Sequence, residues 1–278
     1  MNRRSLLQSL IAGGTLLTTG CVGSLSSTAD QPEAPHVFEN YRFDGTDLVV
    51  KFRDAAGVQN AVLYNSSTDE EYETIKQPLG TIRFPVVFPE RLETYIADSL
   101  HVKAKTSDGW ARQWIPEIVH AHTEDVEVLR DGRARFEIEN QGEAPLLVRF
   151  AGIYGDVPNP TVDPQSESFD RSSLNFGPGV VGIGQNRPLS SSRTDLVVSP
   201  GETAPFETTY APFAFPNGAD IEDCDGEERT AKIAIVHASG GSASYTFSFC
   251  LDGELTSIEG QAAEVCNSAD AEGTETKP

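Results

Sequence analysis

The feature of this sequence that most constrains its fold is a succession of short apolar segments separated by turn-forming residues. Those in the first half are partly alternating and rich in Val, Ile, Phe and Tyr; they are residues 47–53, 58–64, 81–88 and 100–106. Turn formers such as Asp44-Gly45 and Asp108-Gly109 stand between them. No long window shows a capped helical period. The pattern predicts an all-β protein built as a sandwich or barrel.

A second series of strand segments begins near Asp125. The turn formers Asp131-Gly132 separate residues 126–129 from residues 133–139 and predict a hairpin. Ser239 to Ser242 predicts another hairpin turn. The remaining strand segments of this series are residues 146–153, 196–198, 206–213, 230–238 and 244–251.

The second series also carries a family resemblance. It rests on two groups of residues, namely Phe136, Ile138, Asn140 and Gly142, and later Ser199-Pro200-Gly201-Glu202 before an apolar strand. Together they resemble the immunoglobulin-like or fibronectin-like modules of prokaryotic surface proteins. The resemblance implies an immunoglobulin-like β-sandwich over residues 125–253, and a related sandwich is expected over residues 36–124.

The acidic residues 254–278 are expected to form a frayed C-terminal tail.

The first twenty-one residues have the composition of an export signal. The apolar run from Leu6 to Leu17 is too short to cross about 30 Å of hydrocarbon. Arg3-Arg4-Ser5-Leu6-Leu7 looks like the twin-arginine export motif, and Thr18-Thr19-Gly20-Cys21 resembles a lipobox, with Thr18 where Leu or Val is usual. This resemblance implies removal of residues 1–20 and a lipid on Cys21, followed by a flexible stalk over residues 21–35. The expected location is the outer face of the cytoplasmic membrane, with membrane lipid as a partner.

The charge of the chain is strongly acidic, with 21 basic and 42 acidic residues and a net charge of -21. Such a field repels phosphate, so nucleic acid is not expected as a partner. The composition, with six Lys against fifteen Arg, resembles that of proteins from salt-loving archaea. Molar salt shortens the Debye length to about 3 Å and screens the self-repulsion of such a halophilic surface.

Three cysteines follow Cys21, and an exported protein favours disulfides. If Ala238 pairs with Ala243 across the hairpin, Cys250 lies opposite Ala231. Cys224 lies in the loop at the same end of the sheet, so the spacing favours a bridge between Cys224 and Cys250. The alternative bridge, between Cys250 and Cys266, would hold the tail.

Two groups of residues have the chemistry of metal ligands. The first is an acidic loop formed by Asp220, Glu222, Asp223, Asp225, Glu227 and Glu228. Calcium binds several carboxylates, but the glycine register of an EF-hand would place Ile221 at the first ligand position. The second group is His120 and His122, two imidazoles on one face of a strand, which we expect to be an exposed pair. No metal or cofactor is therefore expected, and halophilic surface charge explains the acidic loop.

The sequence contains no GxSxG or HExxH motif and no paired carboxylates that stand out from its acidic background, and an exported hydrolase with an unfamiliar site stays a third hypothesis. Residues 177–184 contain the letters GxGxxG but open no helix, so they do not fit a dinucleotide site.

The long segment 155–193 is expected to fold back on the sheet and to dock on Tyr210, Phe213 and Phe215. There it is expected either to bind a partner or to cap an edge of the sheet. Asn65-Ser66-Ser67 is a glycosylation sequon in a turn.

Together these observations predict a lipid-anchored, non-enzymatic surface protein that binds an unidentified envelope protein or glycan. The alternative hypothesis is a calcium- or metal-dependent binding module, or an accessory subunit of a cell-envelope enzyme. It depends on the acidic loop and on the histidine pair.

Overall fold

The computed structural model describes residues 34–95, 99–116, 119–123, 125–161, 163, 166, 193–216, 221–239, 241–260 and 262–275. Strands make up most of these residues, so the all-β prediction is confirmed. Helical structure in the described part consists of short turns, namely the α-turn Ala34–Val37 and the 3-10 turns Asp54–Ala56, Pro89–Arg91, Arg193–Leu196 and Ile221–Cys224. No helix among the described residues has the length and hydropathy needed to span a membrane.

The strands of the first series form two antiparallel sheets and a short ribbon. They are β1 (Phe38–Asp44), β2 (Asp47–Phe52), β3 (Asn60–Asn65), β4 (Glu70–Lys76), β5 (Thr81–Pro85), β6 (Val87–Phe88), β7 (Glu93–Thr94), β8 (Leu100–Thr106) and β9 (Gly109–Trp114). One sheet has the order β1-β2-β5, the other has the order β4-β3-β8-β9, and β6 pairs with β7. The predicted turns are confirmed where Asp44 pairs with Asp47 and where Thr106 pairs with Gly109.

The strands of the second series form two further sheets. They are β10 (Ala121–His122), β11 (Val126–Val128), β12 (Ala134–Asn140), β13 (Leu146–Gly155), β14 (Val197–Val198), β15 (Thr203–Glu207), β16 (Phe215–Pro216), β17 (Asp225–His237), β18 (Ser242–Ser257) and β19 (Ala263–Glu275). In the smaller sheet, β12 pairs with β10, β11 and β15. The larger sheet has the order β14-β13-β17-β18-β19-β16. The Tyr245 hydroxyl of β18 donates to the Ala121 carbonyl of β10 over 2.6 Å, which joins the two sheets as layers of a sandwich.

The core is continuous through both series. One hydrophobic cluster of buried residues extends from Val37 to Cys266, and the described residues of both series form one compact unit. The immunoglobulin-like topology and the module boundary at residues 124 and 125 stay predictions.

Asn140 is a fully buried polar residue at the end of β12. Its Nδ2 donates to the carbonyls of Ala144 and Val198 over 2.8 and 2.9 Å, and its Oδ1 accepts from the Gly142 amide over 2.9 Å. These three bonds fasten the turn after β12 to the end of β14. The buried amide therefore stabilises the polar backbone of a turn that would otherwise be left unpaired inside the protein.

The C-terminal segment differs from the frayed tail that the sequence predicts for residues 254–278. Strand β19 pairs with β18 from Glu264 opposite Ser257 to Glu275 opposite Thr246. The prediction was wrong because it counted large apolar side chains, whereas a strand ladder uses backbone groups that almost every residue carries.

The hairpin between β17 and β18 lies where the sequence predicts it, but its register differs. Ala243 pairs with Ile235, three residues before the expected Ala238. The His237 amide donates to the Gly241 carbonyl, which closes a wider turn. As a result Glu228, and not Ala231, lies opposite Cys250.

The disulfide joins Cys224 to Cys266, with the two Cα atoms 5.7 Å apart, and Cys250 is a free thiol. Both predicted pairings, Cys224 with Cys250 and Cys250 with Cys266, are therefore wrong. Asp225 pairs with Asp252, and Leu255 pairs with Cys266. The bonded cysteines thus meet at the far end of β18, beyond the position of Cys250.

Candidate functional site

The outer face of the sheet β4-β3-β8-β9 brings basic and aromatic side chains into register. On β8, Leu100, Val102 and Ala104 are buried, and the alternating positions point to the opposite side. On that side, three rows of paired residues run from β9 across β8 and β3 to β4. The rows are Trp110, Lys105, Asn60 and Lys76; Arg112, Lys103, Val62 and Thr74; and Trp114, His101, Tyr64 and Glu71. We use the name basic–aromatic face for the surface formed by Tyr64, Lys76, His101, Lys103, Lys105, Trp110, Arg112 and Trp114.

The cations and rings of this face pack on one another. Lys103 Nζ lies 4.9 Å from the centroid of the Tyr64 ring and 5.4 Å from that of Trp110. Lys105 Nζ lies 5.6 Å from the Trp110 centroid. Such cation–π contacts hold both partners in place at little cost in hydration. The face is therefore organised before any ligand arrives.

Most of the positive charge on this face is not neutralised. Lys103 contacts the carboxylate of Glu71, but Lys76, Lys105 and Arg112 form no salt bridge with any described residue. Elsewhere Lys51, Arg83, Arg133 and Arg135 are each paired with carboxylates. Three of the cations that form no salt bridge with a described residue thus lie on this one face of a chain with a net charge of -21; Arg130, Arg149 and Lys232 are others.

The face also holds both tryptophans of the chain and three of its six lysines. Trp114 is 53% exposed, although large aromatic residues usually bury most of their surface. Exposed Trp beside Arg is characteristic of binding surfaces, where rings and planar cations provide most of the contact energy.

Tyr64 lies at the base of the face. The residue is 4% exposed, and its hydroxyl is buried without a hydrogen-bond partner among the described residues. Its ring centroid lies 5.6 Å from that of His101. A buried hydroxyl without a partner costs stability, so this position is not optimised for folding alone.

A second candidate is a cavity of about 590 Å³ on the smaller sheet. Its lining consists of His122, Thr123, Asp125, Glu127, Arg135, Phe136, Glu137, Glu139 and Thr203. Arg135 forms salt bridges with Glu127 and Glu207 over 3.0 and 2.6 Å, so the one guanidinium of this lining is already neutralised. The remaining acidic lining resembles the surface of the whole chain and indicates no particular ligand.

The acidic loop that the sequence offered as a calcium site makes its contacts within the protein. The Asp225 carboxylate accepts a hydrogen bond from the Glu227 amide over 2.9 Å and forms a salt bridge with Arg229. This hydrogen bond and the Arg229 cation lower the pKa of Asp225. Glu228 accepts from the Ser248 hydroxyl over 3.0 Å. Asp223 uses its backbone carbonyl to accept from Arg229.

The histidine pair occupies the edge of the smaller sheet. His122 lies on β10, with its ring edge-to-face against Tyr245 at a centroid distance of 5.2 Å. His120 accepts from the Gln141 amide through its backbone carbonyl. Within the described ranges, no three His, Cys, Asp or Glu side chains are grouped as metal ligands would be.

Several predicted features lie outside the described residues. They are the export signal 1–20, Cys21, all of the stalk 21–35 except its last two residues, Asp220, and most of the long segment 155–193. Glu222 lies in the Ile221–Cys224 turn, but its side chain is also outside the description.

The start of the long segment does fold back as expected. The Asn159 amide donates to the Pro212 carbonyl over 3.0 Å, and its Nδ2 donates to the Ala211 carbonyl over 3.1 Å. Nearby, the Tyr210 hydroxyl accepts a hydrogen bond from the Ile153 amide and donates one to the Ile153 carbonyl. Phe213, by contrast, is buried in the core, where it packs against Phe247 and Phe249.

The sequon residue Asn65 ends β3 at the turn into β4 and is half-buried. Its Oδ1 accepts hydrogen bonds from the amide and the hydroxyl of Ser67 over 2.9 and 2.7 Å. The sequon therefore lies in a surface turn, and glycosylation at Asn65 stays a prediction.

The basic–aromatic face was not found from the sequence, although a local signal for it exists. On both sides of the Asp108-Gly109 turn, basic or aromatic residues alternate with small apolar ones, as in Lys103-Ala104-Lys105 and Trp110-Ala111-Arg112. Such alternation predicts that they share the exposed face of a hairpin. No model of a known protein family matches the chain, and no curated protein shows significant similarity to it.

Proposed function

We propose that this chain is a non-enzymatic surface protein, exported and held by a lipid on Cys21, that binds an anionic ligand with its basic–aromatic face. The observation that carries the binding role is that both tryptophans and three cations without a salt bridge to any described residue lie on one outer face of an acidic chain. Charge complementarity indicates a ligand of opposite sign to the face.

The anchoring part of the proposal rests on the sequence. Arg3-Arg4 before a short apolar run, and Thr18 to Cys21 after it, are the features that support export and lipidation. The non-enzymatic part rests on the sequence as well, which contains no GxSxG, HExxH or P-loop pattern.

The anchor is tested by intact-mass analysis of the membrane fraction in high salt, with wild type compared with Cys21→Ser. We expect a wild-type mass that begins at residue 21 with added lipid, and release of the variant into the medium. An unprocessed chain in the cytosol would overturn both export and anchoring.

The binding role is tested with a polyacrylamide that carries sparse carboxylate groups, and uncharged polyacrylamide is its control. We expect wild type to bind only the carboxylated polyacrylamide, and the charge-reversed variant Lys105→Glu/Arg112→Glu to lose that binding. Arg42→Glu/Arg91→Glu is the matched control, because it reverses two exposed charges outside the face, one on β1 and one in the turn Pro89–Arg91. Equal loss in both variants would assign the binding to overall charge and refute the role of the face.

A further inference from the structure

We infer that the ligand of the basic–aromatic face is a linear polysaccharide with widely spaced carboxylate or sulfate groups, lying along β9. This inference rests on the proposed function, because it identifies the ligand of the same face. It follows from the order of side chains on one strand, from the openness of the face and from the charge of the chain.

The order of side chains along β9 is ring, cation, ring. Trp110, Arg112 and Trp114 project to the same side because alternate residues of a strand share a face. The two tryptophans are four residues apart, which is about 13 Å at 3.3 Å per residue. Lys105 and Lys103 lie opposite Trp110 and Arg112 on β8, so the cations run beside and between the rings.

This order fits the chemistry of a sugar chain. The flat side of a pyranose ring presents C–H groups, which pack against the electron-rich face of an indole. Acidic substituents at the edge of the same chain would meet Arg112 and Lys105. One straight polymer can contact both tryptophans only if it has several sugar units, so the site recognises a length of chain.

The face is an open surface, which suits the side of a polymer better than its end. Trp114 is 53% exposed and Arg112 is exposed, and both lie on a strand at the edge of its sheet. A compact ligand would contact only one ring on such a surface. A polymer gains a second contact within the same molecule, which raises its apparent affinity.

The overall charge selects against densely charged polymers. A chain with a net charge of -21 repels a polyanion at long range, and the few unpaired cations of the face offset only a few acidic groups. Nucleic acids carry a phosphate at every nucleotide, whereas a polysaccharide with an acid on every second sugar carries less charge per contact. The same comparison disfavours a surface of anionic lipid.

The experiment uses hyaluronan oligosaccharides of increasing length, in which acidic and neutral sugars alternate. The purified mature chain reports binding through tryptophan fluorescence, since both tryptophans lie on the face. We expect the affinity to rise at least about tenfold between the disaccharide and oligomers that reach both rings. Trp114→Ala should abolish this rise, and Trp114→Phe should retain part of it.

Leu79→Ala is the matched control, because Leu79 is the other strongly exposed large hydrophobic residue in the described part, at 90% exposure. It should bind like wild type. Failure to bind hyaluronan of any length, with binding of the carboxylated polyacrylamide retained, would overturn this inference and leave the proposed function standing. Loss of both would overturn both. Equally tight, Trp114-dependent binding of anionic vesicles or oligo-dT, or self-association in sedimentation, would also overturn the inference.

Discussion

Removal of the Cys224–Cys266 disulfide is expected to lower the free energy of unfolding by about 4 kcal/mol. The two cysteines are 42 residues apart, and a crosslink of this span removes about that much conformational freedom from the unfolded chain. Strand β19 needs this support, because Val265 and Cys266 are its only buried residues with a described side chain. Little hydrophobic free energy therefore holds β19 against β18.

The assay is urea unfolding of Cys224→Ser/Cys266→Ser in high salt, followed by tryptophan fluorescence. Cys250→Ser is the matched control, because Cys250 is a half-buried free thiol and its removal breaks no crosslink. We expect a lower midpoint only in the double variant, with β19 as the first segment to lose hydrogen-exchange protection.

Two results would refute this reasoning. One is a non-reducing peptide map in which Cys250 is crosslinked. The other is a double variant as stable as wild type, which would mean that the strand ladder alone holds β19 in place.

Four further predictions address single side chains. Tyr64→Phe should raise the free energy of unfolding by about 1 kcal/mol, since it removes a buried hydroxyl without a described partner; a loss measured by urea unfolding would reveal a partner. Asn140→Ala should lower it by about 3 kcal/mol, or about 1 for each lost bond, and an unchanged urea midpoint would contradict this. Burial raises the pKa of the Tyr210 hydroxyl above its ordinary value, so the contribution of Tyr210 to stability should be full below about pH 10 and should decline as the pH rises further. Urea midpoints measured against pH should show this decline in wild type and a flatter one in Tyr210→Phe. In the native host, intact mass should show a glycan that Asn65→Gln removes, and a mass difference equal only to the one methylene that the substitution adds would exclude modification there.

The sequence predicts the strand content of the protein well, because alternation and turn formers act over a few residues. Strand β8 has the predicted bounds 100–106, and β2 differs from its prediction by one residue. Register is harder to predict, since it depends on how many residues a turn contains. The wider turn after β17 changed the residue opposite Cys250, and the disulfide was missed because β19, which carries Cys266 past Cys250, was predicted as a tail.

The candidate site needed the structure for a related reason. Lys76 lies on β4, Tyr64 on β3 and Trp114 on β9. These residues share a surface only because β3 pairs with β4 and β8 pairs with both β3 and β9. Their local sequence shows which face of a strand each occupies, but not which strands are neighbours. Composition also concealed the site, because a face with a few cations barely changes a net charge of -21.

Strand β19 has a consequence for the behaviour of incomplete chains. Strand β18 has 16 residues, and β19 pairs with the edge that β17 leaves open. A product truncated before residue 263 would expose those backbone donors and acceptors beside Phe247 and Phe249. Such an edge is a template for intermolecular strand pairing and aggregation. The acidic strand β19 therefore covers an edge of β18 that would otherwise pair with other molecules. Chains that end before β19 are expected to precipitate under conditions in which chains that contain it stay in solution.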